Sequence, residues 1–257
     1  MVRQLYTAWT GMRNEQNRLD VISNNLANSA TVGFKKEGVT SQSFDQQLMV
    51  KIRDASVDWR QERIGTMSFG AKIGEVYTDY KQGSLRESGN TFDFAIDGSG
   101  FFAIQYTNAN GQTSTQYTRA GQFTVTQEGY VVDVDGNYLM AEGGPLQVPV
   151  DAADVAVDVA GNVYADGELV DTIILTDFED YDYLKKFGET RLFPVNGARE
   201  KEAAGMIRQG FTEQSNVNVV SEMVNMIAIT RAYEAGQKVI QTVDSTLEKA
   251  TTLGSVS

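Results

Sequence analysis

Three stretches of this chain hold residue types that could do chemistry, and the first is Gly98-Ser99-Gly100-Phe101-Phe102-Ala103. It fits the spacing with which a glycine turn brings backbone amides up to a dinucleotide pyrophosphate. That chemistry needs a helix after the turn. Phe101-Phe102-Ala103-Ile104-Gln105-Tyr106 is strand-like instead, so the glycines are read as a turn between two strands. The second stretch, Asp133-Val134-Asp135-Gly136-Asn137, opens like a calcium loop. Its glycine stands fourth rather than sixth, and Gly144 takes the twelfth place, where a bidentate glutamate is required. It is read as a hairpin turn. The third, the acidic cluster from Asp177 to Asp182 with Tyr181 and Tyr183, is read as a polar loop.

The chain has 34 Asp and Glu but no histidine and no cysteine. Serine–histidine–aspartate triads, thiol nucleophiles, disulfides and nearly every zinc site are thereby excluded. A carboxylate pair for glycoside cleavage is compatible with the composition, yet acids this numerous are assigned to solvated surface. No catalytic, cofactor-binding or metal-ligating residue is assigned, no cofactor is expected, and the chain is read as a non-enzyme.

The elements that would have to position any site differ between the ends and the middle. Leu5, Met12, Leu19 and Leu26 recur at seven-residue spacing, with Ala8 and Ile22 three positions on, Glu15 as the polar break, and Trp9 widening the stripe. This is a heptad seam on one helix. Asn24, Asn25, Asn28, Ser29, Thr31 and Gly33 then supply helix-ending and turn chemistry. The far end repeats the design with Val219, Met226, Tyr233, Ile240 and Leu247, accompanied by Ile229, Gly236, Val243 and Ala250. Ser215-Asn216-Val217-Asn218 provides cap candidates just before it. One seam cannot bury itself, so each terminal helix needs a partner.

Between them, Phe92, Phe94 and Ile96 alternate with polar or small residues, as Phe123 and Val125 do further on. Tyr130–Val134 and Tyr138–Met140 flank one hairpin turn; Val155–Val157 and Val163–Ala165 flank another at Gly161-Asn162. The expectation is an α+β protein. Terminal α-helices form a coiled-coil-like domain from residues 1–35 and 215–257. Residues 36–75 connect, extended or partly helical, and residues 76–214 form a mainly antiparallel β domain.

Charge sorts the same way. Of the net −12, residues 1–37 carry +2 and residues 215–257 carry −1, which leaves −13 on the middle. The acidic middle repels nucleic-acid phosphates and belongs in solvent, whereas the near-neutral ends can crowd together in many copies. No run of about 20 apolar residues exists, so nothing is expected to span a membrane. The polar residues Thr7, Thr10, Arg13, Asn14, Glu15 and Gln16 break up the N-terminus as no signal peptide would. The chain is expected to stay in the cytoplasm or to leave by a route that cleaves nothing.

Ser23-Asn24-Asn25-Leu26-Ala27-Asn28 followed by Thr31-Val32-Gly33-Phe34-Lys35 resembles the N-terminal signature of the flagellar rod and hook protein family. Gln82-Gly83-Ser84-Leu85, Phe94-Ala95-Ile96-Asp97-Gly98-Ser99-Gly100-Phe101-Phe102 and Tyr117-Thr118-Arg119-Ala120-Gly121-Gln122-Phe123 resemble its central blocks, in order. Ser215-Asn216-Val217-Asn218, Met223-Val224-Asn225-Met226-Ile227 and Arg231-Ala232-Tyr233-Glu234 resemble its C-terminal block. The resemblance implies a structural subunit of the basal-body rod. Its terminal helices would line an axial tube, and its β domain would sit outside. Its partners would be itself, other axial proteins and the flagellar type III export apparatus, and it would be placed outside the cytoplasm. Ser215–Asn218 and Met223–Met226 look like the distal rod protein. The short segment 38–75 and Ala141-Glu142-Gly143-Gly144-Pro145-Leu146 look like the proximal one, which is slightly favoured. An unrelated secreted filament or adhesin subunit and a carbohydrate-active enzyme are the alternatives.

Overall fold

A computed structural model describes residues 2–51, 62–108, 111–152 and 154–254. Its contacts divide the chain into two units, the first formed by Met1–Leu26, Glu37–Asp79 and Asn218–Ser257 and the second by Ala27–Lys36 and Tyr80–Val217.

The first unit holds both long helices, α1 (Val2–Ala27) and α2 (Val219–Gly254), as the seven-residue spacing predicts. It also holds four strands. Glu37–Ser43 pairs antiparallel with Ala71–Thr78, with an irregularity between Val39 and Ser41, and Gln47–Lys51 pairs with Glu62–Met67. Residues 37–51 and 62–78 are thus extended, not helical, and they group with the helices rather than standing as a separate connector. The physical reason is a polar face of α1 that the heptad reading passed over. Asn14 exchanges hydrogen bonds with the Ser41 hydroxyl at 3.0 and 3.3 Å. The Asn25 amide gives its NH2 to the Glu37 carbonyl at 2.8 Å and accepts the Glu37 N–H at 2.9 Å, as a neighbouring strand would. Asn25 is fully buried, and burying an amide is tolerable only with both ends bonded in this way.

The second unit is an antiparallel β structure. Its main sheet runs Leu184–Phe187, Arg191–Pro194, Thr113–Thr118, Phe101–Thr107, Tyr138–Ala141, Val131–Asp133, Phe123–Val125. Phe101-Phe102-Ala103-Ile104 explains why this strand is central. Successive side chains point to opposite faces, and all four residues are buried. Phe102 and Ile104 enter one core with Phe94, Ile96, Phe123, Val131 and Leu139. Phe101 and Ala103 enter a second core with Tyr117, Phe178, Leu184 and Leu192. The strand Phe94–Asp97 departs from the expected half-exposed alternation, since Ala95 is as buried as Phe94 and Ile96. The two predicted hairpins form, with Val132 opposite Tyr138 and Ala156 opposite Tyr164.

The three candidate chemical stretches are structural. Gly98 and Gly100 turn the chain between two strands at φ +115° and +126°, and Phe101–Thr107 follows as a strand. The Asp133 carboxylate accepts from the Asp135 and Asn137 backbone and from the Asn137 side chain, closing its hairpin. Asp177 is not in a solvated loop: it is buried at the end of the strand Leu175–Phe178 and accepts the Tyr181 hydroxyl at 2.8 Å. Burial, followed by that hydrogen bond, pushes the Tyr181 phenol up to about 12 from its ordinary 10.0. Burial and the Glu200 carboxylate likewise raise Tyr117.

A phenol whose pKa is higher folded than unfolded contributes stability that is complete below pH ~10 and is lost as pH rises towards the folded value. The melting temperature should therefore fall between pH ~10 and ~12. Tyr181→Phe should make that decline shallower, as alkaline thermal melts would record.

Candidate functional site

Two groups of residues stand out, one in each unit. In the first unit the heptad residues are used unequally. Ile22 of α1 and Ile229 of α2 are buried, whereas Met12, Leu19, Leu26, Met226, Ile240 and Val243 are partly buried. Leu5, Trp9, Val219, Tyr233 and Leu247 stay exposed. The helices meet where Gly236 lies on Met12, so closely that a Cβ at Gly236 would stand 2.7 Å from the Met12 Cγ. An open groove of about 860 Å³ runs beside this contact, lined by Ala8, Gly11, Met12, Ala232, Gly236 and Val239 among others. The seam is thus spent partly inside the subunit and partly left facing outward.

The resemblance motifs flanking the helices have identifiable work. Asn218 caps α2, its side-chain oxygen accepting the Ser221 N–H at 3.1 Å and its carbonyl the Glu222 N–H. Asn28 accepts the Thr31 hydroxyl in the turn after α1. Asn216 accepts the Lys36 N–H at 2.8 Å and donates to the Lys81 carbonyl, and the Ser215 hydroxyl accepts from the Val217 N–H. Val217 is buried; Asn24, Ala27, Arg231 and Glu234 are at the surface.

These bonds join the segment that leaves α1 to the segment that enters α2, and in the second unit they close around one carboxylate. Glu213 is 1% exposed. Its Oε1 accepts from Lys35 Nζ at 2.7 Å and from the Gly83 N–H at 2.8 Å; its Oε2 accepts from Arg119 Nη1 at 3.2 Å. Lys35 also reaches the Lys81 carbonyl, and Arg119 reaches the Gly98 carbonyl and lies over the Phe101 ring. Two buried cations on one buried anion are tolerable only because nearly every polar atom has a partner. Sequence reasoning did not find this cluster. Its one visible signal was that Lys35 and Arg119 each stand as the one charge in their motif blocks, Thr31–Lys35 and Tyr117–Phe123.

Gly33 allows the close approach. It adopts φ +71°, donates its N–H to the Glu213 carbonyl at 2.8 Å, and a Cβ there would run into the backbone of Arg119 and Ala120. Gly33→Ala should destabilise the β unit by about 1–3 kcal/mol, a cost of left-handed backbone plus steric displacement, measurable as a lowered denaturation midpoint.

Among the described residues around Glu213 no nucleophile is set against a base; the cluster holds together the segment after α1 and the segment before α2. Three family models match in chain order. They are flagella basal body rod protein over residues 5–35, flagellar hook protein FlgE/F/G D1 domain over 95–165, and flagellar basal body rod FlgEFG protein C-terminal over 208–253. The flagellar basal-body rod protein FlgG of Bacillus subtilis is 32% identical, the match covering 98% of this chain and 99% of the relative. The chain belongs to the flagellar basal-body rod protein family.

Other rod proteins match over equally complete lengths. FlgG of Caulobacter vibrioides is 34% identical over 99% of this chain and all of the relative, and FlgF of Mesorhizobium japonicum is 32% identical over the whole of both. The first and last matched segments of this rod protein cover nearly all of the two helices and the connectors that meet at Glu213. Among the described residues no helix is long and apolar enough to cross a membrane.

Proposed function

We propose that this chain is a structural, non-enzymatic subunit of the flagellar basal-body rod. It polymerises through its N- and C-terminal helices, in coiled-coil-like seams, into the axial drive shaft around the export channel. The observation that carries this reading is the exposure of Leu5, Trp9, Val219, Tyr233 and Leu247 on helices where Met12, Leu19, Ile22, Leu26, Met226, Ile229, Ile240 and Val243 are at least partly covered. Apolar rows of this kind need a partner outside the subunit. The near-neutral charge of both ends supports close packing of many copies, and the acidic middle suits the outside. Its partners are then other copies, other axial flagellar proteins and the type III export apparatus, which delivers it uncleaved beyond the cytoplasm. Within the rod the proximal segment is the favoured position, on Ala141–Leu146 and the short arm over residues 38–75.

The test is the composition of isolated basal bodies. A deletion strain should be non-motile with an incomplete rod, and tagged protein should co-purify with the proximal end. Intact rods in the deletion strain would refute the reading, and a distal location would refute its proximal form.

A further inference from the structure

The sequence holds two Asn-Gly pairs, Asn110-Gly111 and Asn196-Gly197. A glycine after asparagine has no side chain to keep its nitrogen from the asparagine amide carbon, so either pair can close a cyclic imide. The fold treats the two unequally. Asn196 and Gly197 form the middle of an exposed turn between the strands Arg191–Pro194 and Glu200–Glu202. The Ala198 N–H donates to the Val195 carbonyl at 3.0 Å, and the Val195 N–H to the Tyr183 carbonyl at 2.9 Å, so the ends of the turn are pinned. Its middle is not. Among the described residues none bonds the Asn196 side chain or the Gly197 N–H.

A positive φ at Gly197 alone, +109°, marks a type II turn. Type II differs from type I by a rotation of the middle peptide, here the one joining Asn196 to Gly197, and both types keep the closing bond. Glycine accepts either sign of φ. The rotation that swings the Gly197 nitrogen towards the Asn196 side chain therefore needs no unfolding. In the other pair the Gly111 N–H is taken up by the Asn108 carbonyl at 2.8 Å. That bond has to break before the Gly111 nitrogen can lose its proton and attack.

We propose that Asn196 is a site of self-modification, deamidating through an imide with Gly197 while the protein is folded. The Gly197 nitrogen gives up its proton and bonds to the Asn196 Cγ. The Cγ–Nδ2 bond breaks, and the amide nitrogen leaves as ammonia with that proton. Water then opens the imide at either carbonyl. Opening at Cγ leaves aspartate; opening at the main-chain carbonyl leaves isoaspartate, which puts an extra methylene carbon into the backbone of the turn. Either product adds a negative charge, and water is the only co-reactant.

Purified full-length protein should be held in mildly alkaline buffer, with both asparagines followed over time by peptide mass spectrometry. Asn196 should convert roughly 2- to 10-fold faster than Asn110, the factor that one net hydrogen bond at Gly111 sets. In denaturant the two rates should converge. Asn196→Gln should remove the main acidic species that grows in on isoelectric focusing. Equal rates in the folded protein, or faster loss at Asn110, would overturn the inference. So would an Asn196 that stays an amide unless the chain is denatured. A ratio unchanged by denaturant would overturn it as well, because the preference would then belong to the flanking sequence and not to the turn.

Discussion

Glu213→Gln should lower the melting temperature of the β unit by about 10 °C. The substitution keeps the shape but removes the counter-charge of Lys35 and Arg119, which would each retain a backbone carbonyl and remain buried as cations. Breaking a buried ion pair from one side costs about 3–5 kcal/mol. In a unit of this size each kcal/mol moves the midpoint by about 2–4 °C. The internal control is the Arg208–Asp97 pair, equally short at 2.7 Å but 52% and 39% exposed. Arg208→Ala should change the midpoint by no more than a few degrees, because exposed pairs contribute about 0–1 kcal/mol. Equal shifts for the two variants would mean that burial of the Glu213 cluster has no energetic weight.

Ile240→Asp should abolish motility while leaving the melt of the β unit unchanged. Ile240 lies in the α2 seam one heptad after Tyr233 and one before Leu247, and it is only partly buried within the subunit. Against a neighbouring helix the variant would bury an unpaired carboxylate and forfeit roughly 2 kcal/mol of apolar contact. Gln237→Asp, exposed and three residues earlier, should still swim. Ile229→Asp separates the two ways of failing. Ile229 is already buried inside the subunit, so its loss should reduce helix content in the isolated protein. If Ile240→Asp lowers helix content equally, the seam serves the subunit and not the assembly. The measurements are circular dichroism of the monomer and recovery of each variant in basal bodies.

The helices and hairpins were legible because their signals are local. Seven-residue recurrence of Leu, Met and Ile, a capping Asn218 and the turn at Gly136 each lie within a few residues of what they organise. The arm over residues 37–51 and 62–79 was not legible as strand. Its strands pair in twos, and bonds that hold it to α1 come from Asn14 and Asn25 on a helix face with no apolar pattern. The Glu213 cluster was hidden for a related reason: its charges stand at positions 35, 119 and 213, and no window of sequence contains two of them. Within the seam, spacing identified a stripe but could not tell its buried members, such as Ile22 and Ile229, from its exposed ones, such as Leu5 and Leu247.

The separation of Lys35 from Glu213, 178 residues along the chain, also governs the order of events during folding. A polypeptide that becomes available from its N-terminus has produced Lys35 early and Arg119 midway, and both must wait for their acid. Until Glu213 arrives, Leu85–Glu87 lacks its strand partner Phe211–Glu213, and Phe94–Asp97 has only just gained Met206–Gln209. Contacts this distant in sequence carry a large closure entropy and form late. The β unit therefore stays easy to open for as long as its chain is incomplete, and becomes hard to open in the same step that fastens the exits to both helices. Sequence distance here acts as a clock, keeping the β unit pliable until its last strands have been supplied and rigid thereafter.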